Sequence, residues 1–194
     1  MPSMTQTLLL VTIGASALAF AVSGELFDWF ALWPLGSGFA PWQLLSYALL
    51  HGGLLHLAFN MYGLWMFGSE LERSWGPRRL LQYYVVSVLM AGVVQLVVAS
   101  DAPAPYPTVG ASGGLYGLLL GYAMLFPQRT IMLLFPPIPM PAWLFAVFFG
   151  LLELTLGVAG EPSGIAHFAH LGGMLGGWLM LRFWRGKPPL GARR

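Results

Sequence analysis

The chain has 194 residues, 57% hydrophobic and 8% charged, with a mean hydropathy of +0.72 and a formal net charge of +2. Such a composition excludes a water-soluble domain and leaves an integral membrane protein. The sequence has no cysteine, which removes disulfides, thiolate catalysis and cysteine-ligated metals from consideration.

Apolar stretches that cross, or nearly cross, a hydrocarbon layer of about 30 Å occur near residues 7–24, 52–69, 80–99, 112–126, 138–158 and 165–184. They predict an all-α, polytopic bundle of six transmembrane helices, with residues 1–194 forming one membrane domain and no separate soluble domain. Residues 1–6 carry no Lys or Arg, so the first stretch reads as a helix rather than a secretory leader.

Basic residues alternate by loop. Arg73, Arg78 and Arg79 follow the second stretch and Arg129 the fourth, while Arg182, Arg185, Lys187, Arg193 and Arg194 surround the end of the sixth. The connections after the first, third and fifth stretches carry none, which predicts that both termini are cytoplasmic. The net charge reflects this asymmetry and predicts no nucleic-acid partner.

Polar groups inside the apolar stretches then stand out, because hydrocarbon rarely tolerates them without a function. With a rise of about 1.5 Å per residue, Ser112 lies roughly 9 Å, His170 roughly 7 Å and His56 roughly 10 Å below the outer face, with His167 at only about 3 Å. Three polar residues from three helices thus share a level. Gly113, Gly117 and Gly121 on the fourth stretch, and Gly173 and Gly177 on the sixth, form small-residue stripes that let helices approach closely.

A serine with a histidine suits nucleophilic acyl transfer, in which imidazole takes the hydroxyl proton and returns it to the leaving amine. Glu153 is the one acidic residue within an apolar stretch. The expectation is a Ser–His dyad rather than a triad, with Glu153 a protonated or water-facing structural carboxyl in preference to the group that orients the histidine. His56 and Asn60, four residues apart, could both aim N–H groups at an oxyanion, or simply bond between helices. Tyr116, one turn after Ser112, could buttress an imidazole or only pack. His51, five residues before His56, is expected to face elsewhere and anchor a loop.

Gly110-Ala111-Ser112-Gly113-Gly114 also fits the nucleophile elbow of α/β-hydrolases, but that motif needs alternating strands and helices that this chain lacks. The segment 102–109, with Pro103, Pro105 and Pro107, reads instead as an irregular connector re-entering from outside.

Taken together, these residues resemble the rhomboid family of intramembrane serine proteases, from about residue 42 to 184. The G-x-S-G signature reads Gly110 to Gly113 with Tyr116 following, H-x-x-x-N reads His56 to Asn60, A-H-x-x-G reads Ala169 to Gly173, and Glu72 and Gly76 match the family's glutamate and glycine. The resemblance implies Ser112 as nucleophile, His170 as general base and acid, and His56 and Asn60 as oxyanion donors. It further implies that residues 25–41 lie partly in the membrane and that the fifth span, rich in Phe145, Phe148 and Phe149, is a lateral gate. His167 keeps a supporting hydrogen-bond role, and no cofactor or metal is implied. Where many relatives have Trp-Arg, this chain has Trp42-Gln43.

The expected partners are transmembrane-helix proteins in a lipid bilayer, and the compact plan looks like that of bacterial plasma-membrane relatives. Expected substrates carry helix-weakening Gly or Pro and a small residue at the cleaved bond. Two alternatives belong to other classes: a catalytically inactive binder of transmembrane helices, and a haem protein using His51, His56, His167 and His170.

Overall fold

The structure is a computed structural model that describes residues 1–22, 24–99, 106–132, 136–160 and 166–186. Helix α1 spans Ser3–Ala21, and its inward residues are Thr5, Leu9, Thr12, Ser16 and Ala19, mostly small or polar. Leu10, Val11, Ile13, Leu18 and Phe20 point outward instead. That inverted amphipathy suits a helix whose outer solvent is lipid, because small inward side chains allow close packing while apolar ones meet hydrocarbon. The first N–H groups of α1 have no acceptor within the helix. Glu72 supplies one, taking bonds from the amides of Met4 (2.9 Å) and Thr5 (2.7 Å) and from the Thr5 hydroxyl (2.7 Å).

Two short helices follow, α2 at Glu25–Phe30 and α3 at Gln43–Ser46, the latter running into a 3-10 turn at Tyr47–Leu49. Buried Gln43 ties the intervening loop together. Its Oε1 accepts from the amides of Trp33 and Ala40, each at 3.2 Å, and its Nε2 donates to the carbonyls of Trp29 and Gly38, each at 3.3 Å. A neutral amide thus satisfies four backbone groups.

Helix α4, Leu54–Gly63, continues through a π segment, Leu64–Gly68, into α5, Ser69–Trp75. The chain then reverses at Gly76, whose φ of 82° is one that side-chain-bearing residues rarely adopt. Helix α6, Pro77–Ala99, starts on proline, the residue best suited to a first helical position because its missing N–H would have been unpaired there. Helix α7, Ser112–Leu125, leads into an antiparallel pair of three-residue strands, β1 at Thr130–Met132 and β2 at Pro139–Pro141. Helices α8, Ala142–Ala159, and α9, His167–Gly186, complete the described chain.

Helices α6, α7 and α9 form the packed centre, with α8 resting against α7 and α9. Glycine makes that centre possible. A Cβ on Gly173 would fall on the Gly113 carbonyl, one on Gly117 would lie 2.9 Å from the Gly173 carbonyl, and one on Gly177 would lie 3.3 Å from the Gly117 Cα. A second stripe, missed in the sequence reading, faces α6: a Cβ on Gly172 or Gly176 would come within 2.9 Å of the Met90 carbonyl or 2.8 Å of the Val86 carbonyl. In contrast, α8 buries only Ala142, Ala146 and Glu153.

Helices α1, α6 and α8 are each long and apolar enough to cross a bilayer, and Gln43–Leu49 with Leu54–Trp75, bent by 100°, qualify as a pair. Helix α7 is apolar but has 14 residues, a length of about 21 Å. The helices and the expected apolar stretches differ at their ends. The first helix begins at Ser3 rather than near residue 7, and the second runs past residue 69 to Trp75, because α4, the π segment and α5 follow one another without a break. The fifth begins at Ala142 rather than 138, because residues 139–141 pair with β1 instead of entering the helix. Of the connector 102–109, residues 102–105 lie outside the described residues, as do Lys187, Arg193, Arg194 and the start of the sixth stretch at 165.

Candidate active site

Ser112 opens α7, and the strand of chain before it is held from one side by the first loop. Leu32 and Thr108 exchange backbone hydrogen bonds at 2.9 Å, the Gly110 amide donates to the Tyr47 carbonyl at 3.0 Å, and the Ala111 amide lies 3.4 Å from Nε2 of His51. His51 is itself fixed by α1, its Nδ1 lying 2.9 Å from Ser16 Oγ, which in turn donates to the Leu49 carbonyl at 2.9 Å. One tautomer satisfies the chain of contacts: Nδ1–H donates to Ser16 and Nε2 accepts from Ala111. His51 therefore anchors a loop, as expected. It does not face away from His56, however; it precedes α4 in non-helical chain, and the two rings meet edge-on at 5.0 Å.

Gly110 has a φ of 127°, and a Cβ there would stand 2.7 Å from Cε1 and 2.9 Å from Nε2 of the His56 ring. Glycine is needed both for the backbone angle and for room. His56, Asn60, Gly110, Ser112, Gly113 and His170 all line one cavity of ≈ 450 Å³. Asn60 spends one N–H on its own helix, donating from Nδ2 to the His56 carbonyl at 2.8 Å. Backbone N–H groups in the first turn of α7 lack intrahelical acceptors, so they too present donors at this end of the helix.

His170 reaches Ser112 from α9, with Nε2 at 2.7 Å from Oγ. The close approach of Gly113 and Gly173 brings the two helices near enough for this contact. Tyr116, one turn below Ser112, stacks on the imidazole with centroids 4.4 Å apart and planes inclined by 6°. The ring therefore lies flat against the imidazole rather than turned away from it.

Glu153 is the residue that sequence reasoning misplaced. It neither faces water nor stands apart: it is buried, 6% exposed, and meets three polar side chains. Oε1 accepts the Tyr116 hydroxyl and lies 3.0 Å from Nδ1 of His170; Oε2 lies 2.6 Å from Nδ1 of His167. The approach to His170 is close but off the N–H axis, short of hydrogen-bond alignment. The available signal was the lone acidic residue in an apolar helix, where burial demands partners.

Against this geometry, the rhomboid domain model matches residues 39–186. The chain belongs to the rhomboid family, and it is an integral membrane protein. It is 29% identical over 176 residues to the rhomboid protease GluP of Bacillus subtilis, a match covering 90% of this chain and 29% of that protein. It is 30% identical over 175 residues to the rhomboid protease GlpG of Yersinia pestis, covering 84% of this chain and 56% of that protein. With RHOMBOID-like protein 5 of Arabidopsis thaliana it shares 34% identity over 139 residues, covering 72% of this chain and 42% of the relative. The chain thus spans roughly a third to just over half of these relatives' lengths.

Proposed function

We propose that this chain is an intramembrane serine endopeptidase that cleaves peptide bonds in or next to transmembrane helices of other proteins. The single observation that carries the reading is the 2.7 Å contact between Ser112 Oγ and His170 Nε2. At that distance the hydroxyl proton passes to Nε2 as Oγ adds to the scissile carbonyl carbon. The negative charge that develops on the carbonyl oxygen meets His56, Asn60 and the first-turn amides of α7. Collapse of the tetrahedral adduct breaks the C–N bond, and the leaving amine takes the proton from Nε2. Water then attacks the acyl-serine by the same route, giving up a proton to Nε2 and releasing the acid and a free Ser112 hydroxyl.

The surrounding plan is a six-span bundle forming one membrane domain, with both termini cytoplasmic and the site just beneath the outer face of a bacterial plasma membrane. A second cavity, ≈ 390 Å³, is lined by Phe59 and Met66 on one side and Tyr116, Phe145 and Phe149 on the other, which suits lateral entry of an apolar segment beside α8. A helical segment hides its carbonyls in hydrogen bonds, so the preferred substrates are those with Gly or Pro near a small residue at the cleaved bond.

Labelling by a serine-directed fluorophosphonate, together with cleavage of a model transmembrane substrate, tests the reading. Wild type should label and cleave, with both lost in Ser112→Ala. Failure of the folded wild type to label would support an inactive binder instead.

A further inference from the structure

We infer that Glu153 is a positioning residue for His170, so that the working unit is Ser112, His170 and a carboxylate supplied by α8. The inference rests on the serine protease reading and deepens it.

An imidazole can act as base toward Ser112 only if the nitrogen facing the hydroxyl carries the lone pair. Nε2 faces Oγ at 2.7 Å, so the proton must sit on Nδ1. Free imidazole has no obligation to choose that tautomer. The carboxyl oxygen 3.0 Å from Nδ1 supplies the preference, because an acceptor there attracts the N–H and repels a bare lone pair. When His170 takes up the serine proton, the same oxygen stabilises the resulting imidazolium in a site with little water.

The side chain of Glu153 is aimed rather than adventitious. Oε2 is held by His167 Nδ1 at 2.6 Å and Oε1 by the Tyr116 hydroxyl, so the carboxyl plane cannot rotate away without losing both. Tyr116 restrains the other partner as well, since its ring lies flat on the imidazole. Hydrogen-bond alignment between Nδ1 and Oε1 is incomplete in the free protein and would be reached by a small shift of either ring or carboxyl; catalytic bonds often tighten only when substrate is bound.

A glutamine in this place keeps the shape but not the function. Three groups converge as donors on the carboxyl (Tyr116 O–H, His167 N–H and His170 N–H), whereas an amide offers one acceptor oxygen and turns N–H donors toward the rest. Glu153→Gln therefore favours the unproductive tautomer of His170.

The test compares wild type, Glu153→Gln and Glu153→Asp, with rates divided by the number of sites titrated with fluorophosphonate. Glu153→Gln should lower kcat by about 10- to 100-fold with KM nearly unchanged, a part of the roughly 10²–10⁴ that general acid–base catalysis supplies. The rate of fluorophosphonate labelling should fall in parallel, and Glu153→Asp should recover part of both. A Glu153→Gln kcat within about threefold of wild type overturns the inference. Nitrogen-15 histidine spectra of the wild type, assigned with His170→Asn, decide the matter even if Glu153→Gln fails to fold: protonation of His170 at Nδ1 is expected, and protonation at Nε2 overturns it. A wild type that labels and cleaves while failing these tests removes only Glu153; one that neither labels nor cleaves removes the serine protease itself.

Discussion

The ring of Tyr116 lies 4.4 Å from that of His170 and within 6° of parallel, while its hydroxyl bonds to Glu153. One side chain therefore restrains the imidazole in two ways, by its face and through the carboxyl. Tyr116→Phe retains the face and drops the hydroxyl, so its kcat should fall about fivefold, in line with one hydrogen bond worth about 1 kcal/mol. Tyr116→Ala loses both and should fall considerably further. Steady-state kinetics in one detergent, on matched folded fractions, would check this; equal losses in the two variants would contradict a role for the stack.

His56 and Asn60 share the cavity with Ser112, but they are not equivalent. The His56 ring abuts Gly110, whereas Asn60 already spends one N–H on the His56 carbonyl. His56→Ala is expected to lower kcat by about a hundredfold, the usual scale for a main oxyanion donor, and Asn60→Ala by about tenfold. Single-turnover rates of the two variants, with KM measured alongside, would reveal a reversed order.

The contact between α7 and α9 leaves no space for a methyl group. Gly173→Ala would drive a Cβ into the Gly113 carbonyl, which is backbone and cannot step aside. A loss of about 3 kcal/mol or more is expected, at the upper end for overpacking. Gly14→Ala is the control, because nothing lies within 4 Å of a Cβ there and alanine is the better helix former. Thermal unfolding in micelles should show a large drop in Tm for the first variant and none for the second.

Glu72 joins two distant parts of the chain by accepting from the start of α1. Glu72→Ala should destabilise the protein by about 2 kcal/mol, as expected when a charged cap with several backbone donors is removed. Hydrogen exchange at the first turn of α1 should accelerate with it. Unchanged protection of Met4 and Thr5 would show that the cap contributes little.

Much of the site was legible in the chain because its chemistry admits few residue types. Ser112, His170, His56 and Asn60 are polar groups in apolar stretches, and depth counting alone placed the first three on one level; the structure brings all four to one cavity. The glycines of α7 were legible for the same kind of reason, since their four-residue spacing has few uses besides close packing. Glu153 was not, because its partners lie on α7 and α9 and no local spacing links it to either. The direction in which His51 faces was misjudged because helical spacing was applied to a residue that precedes the helix. The strand pair β1–β2 was hidden by its two prolines, Pro139 and Pro141, both in the second strand, where proline usually argues against strand structure.

The amide of Gln43 gives the two ends of the molecule different sensitivities to dissolved ions. Around the loop that supports Ser112, four bonds run between neutral dipoles, which mobile counter-ions barely screen. Beyond the far end of α7, Glu70 instead pairs with Arg73 and, at 2.5 Å, with Arg129, all of them partly exposed. Concentrated electrolyte weakens exposed ion pairs of that sort, the Debye length shrinking to about 3 Å at 1 M. A brine would therefore slacken the end remote from the reactive serine first, leaving the architecture around that hydroxyl intact.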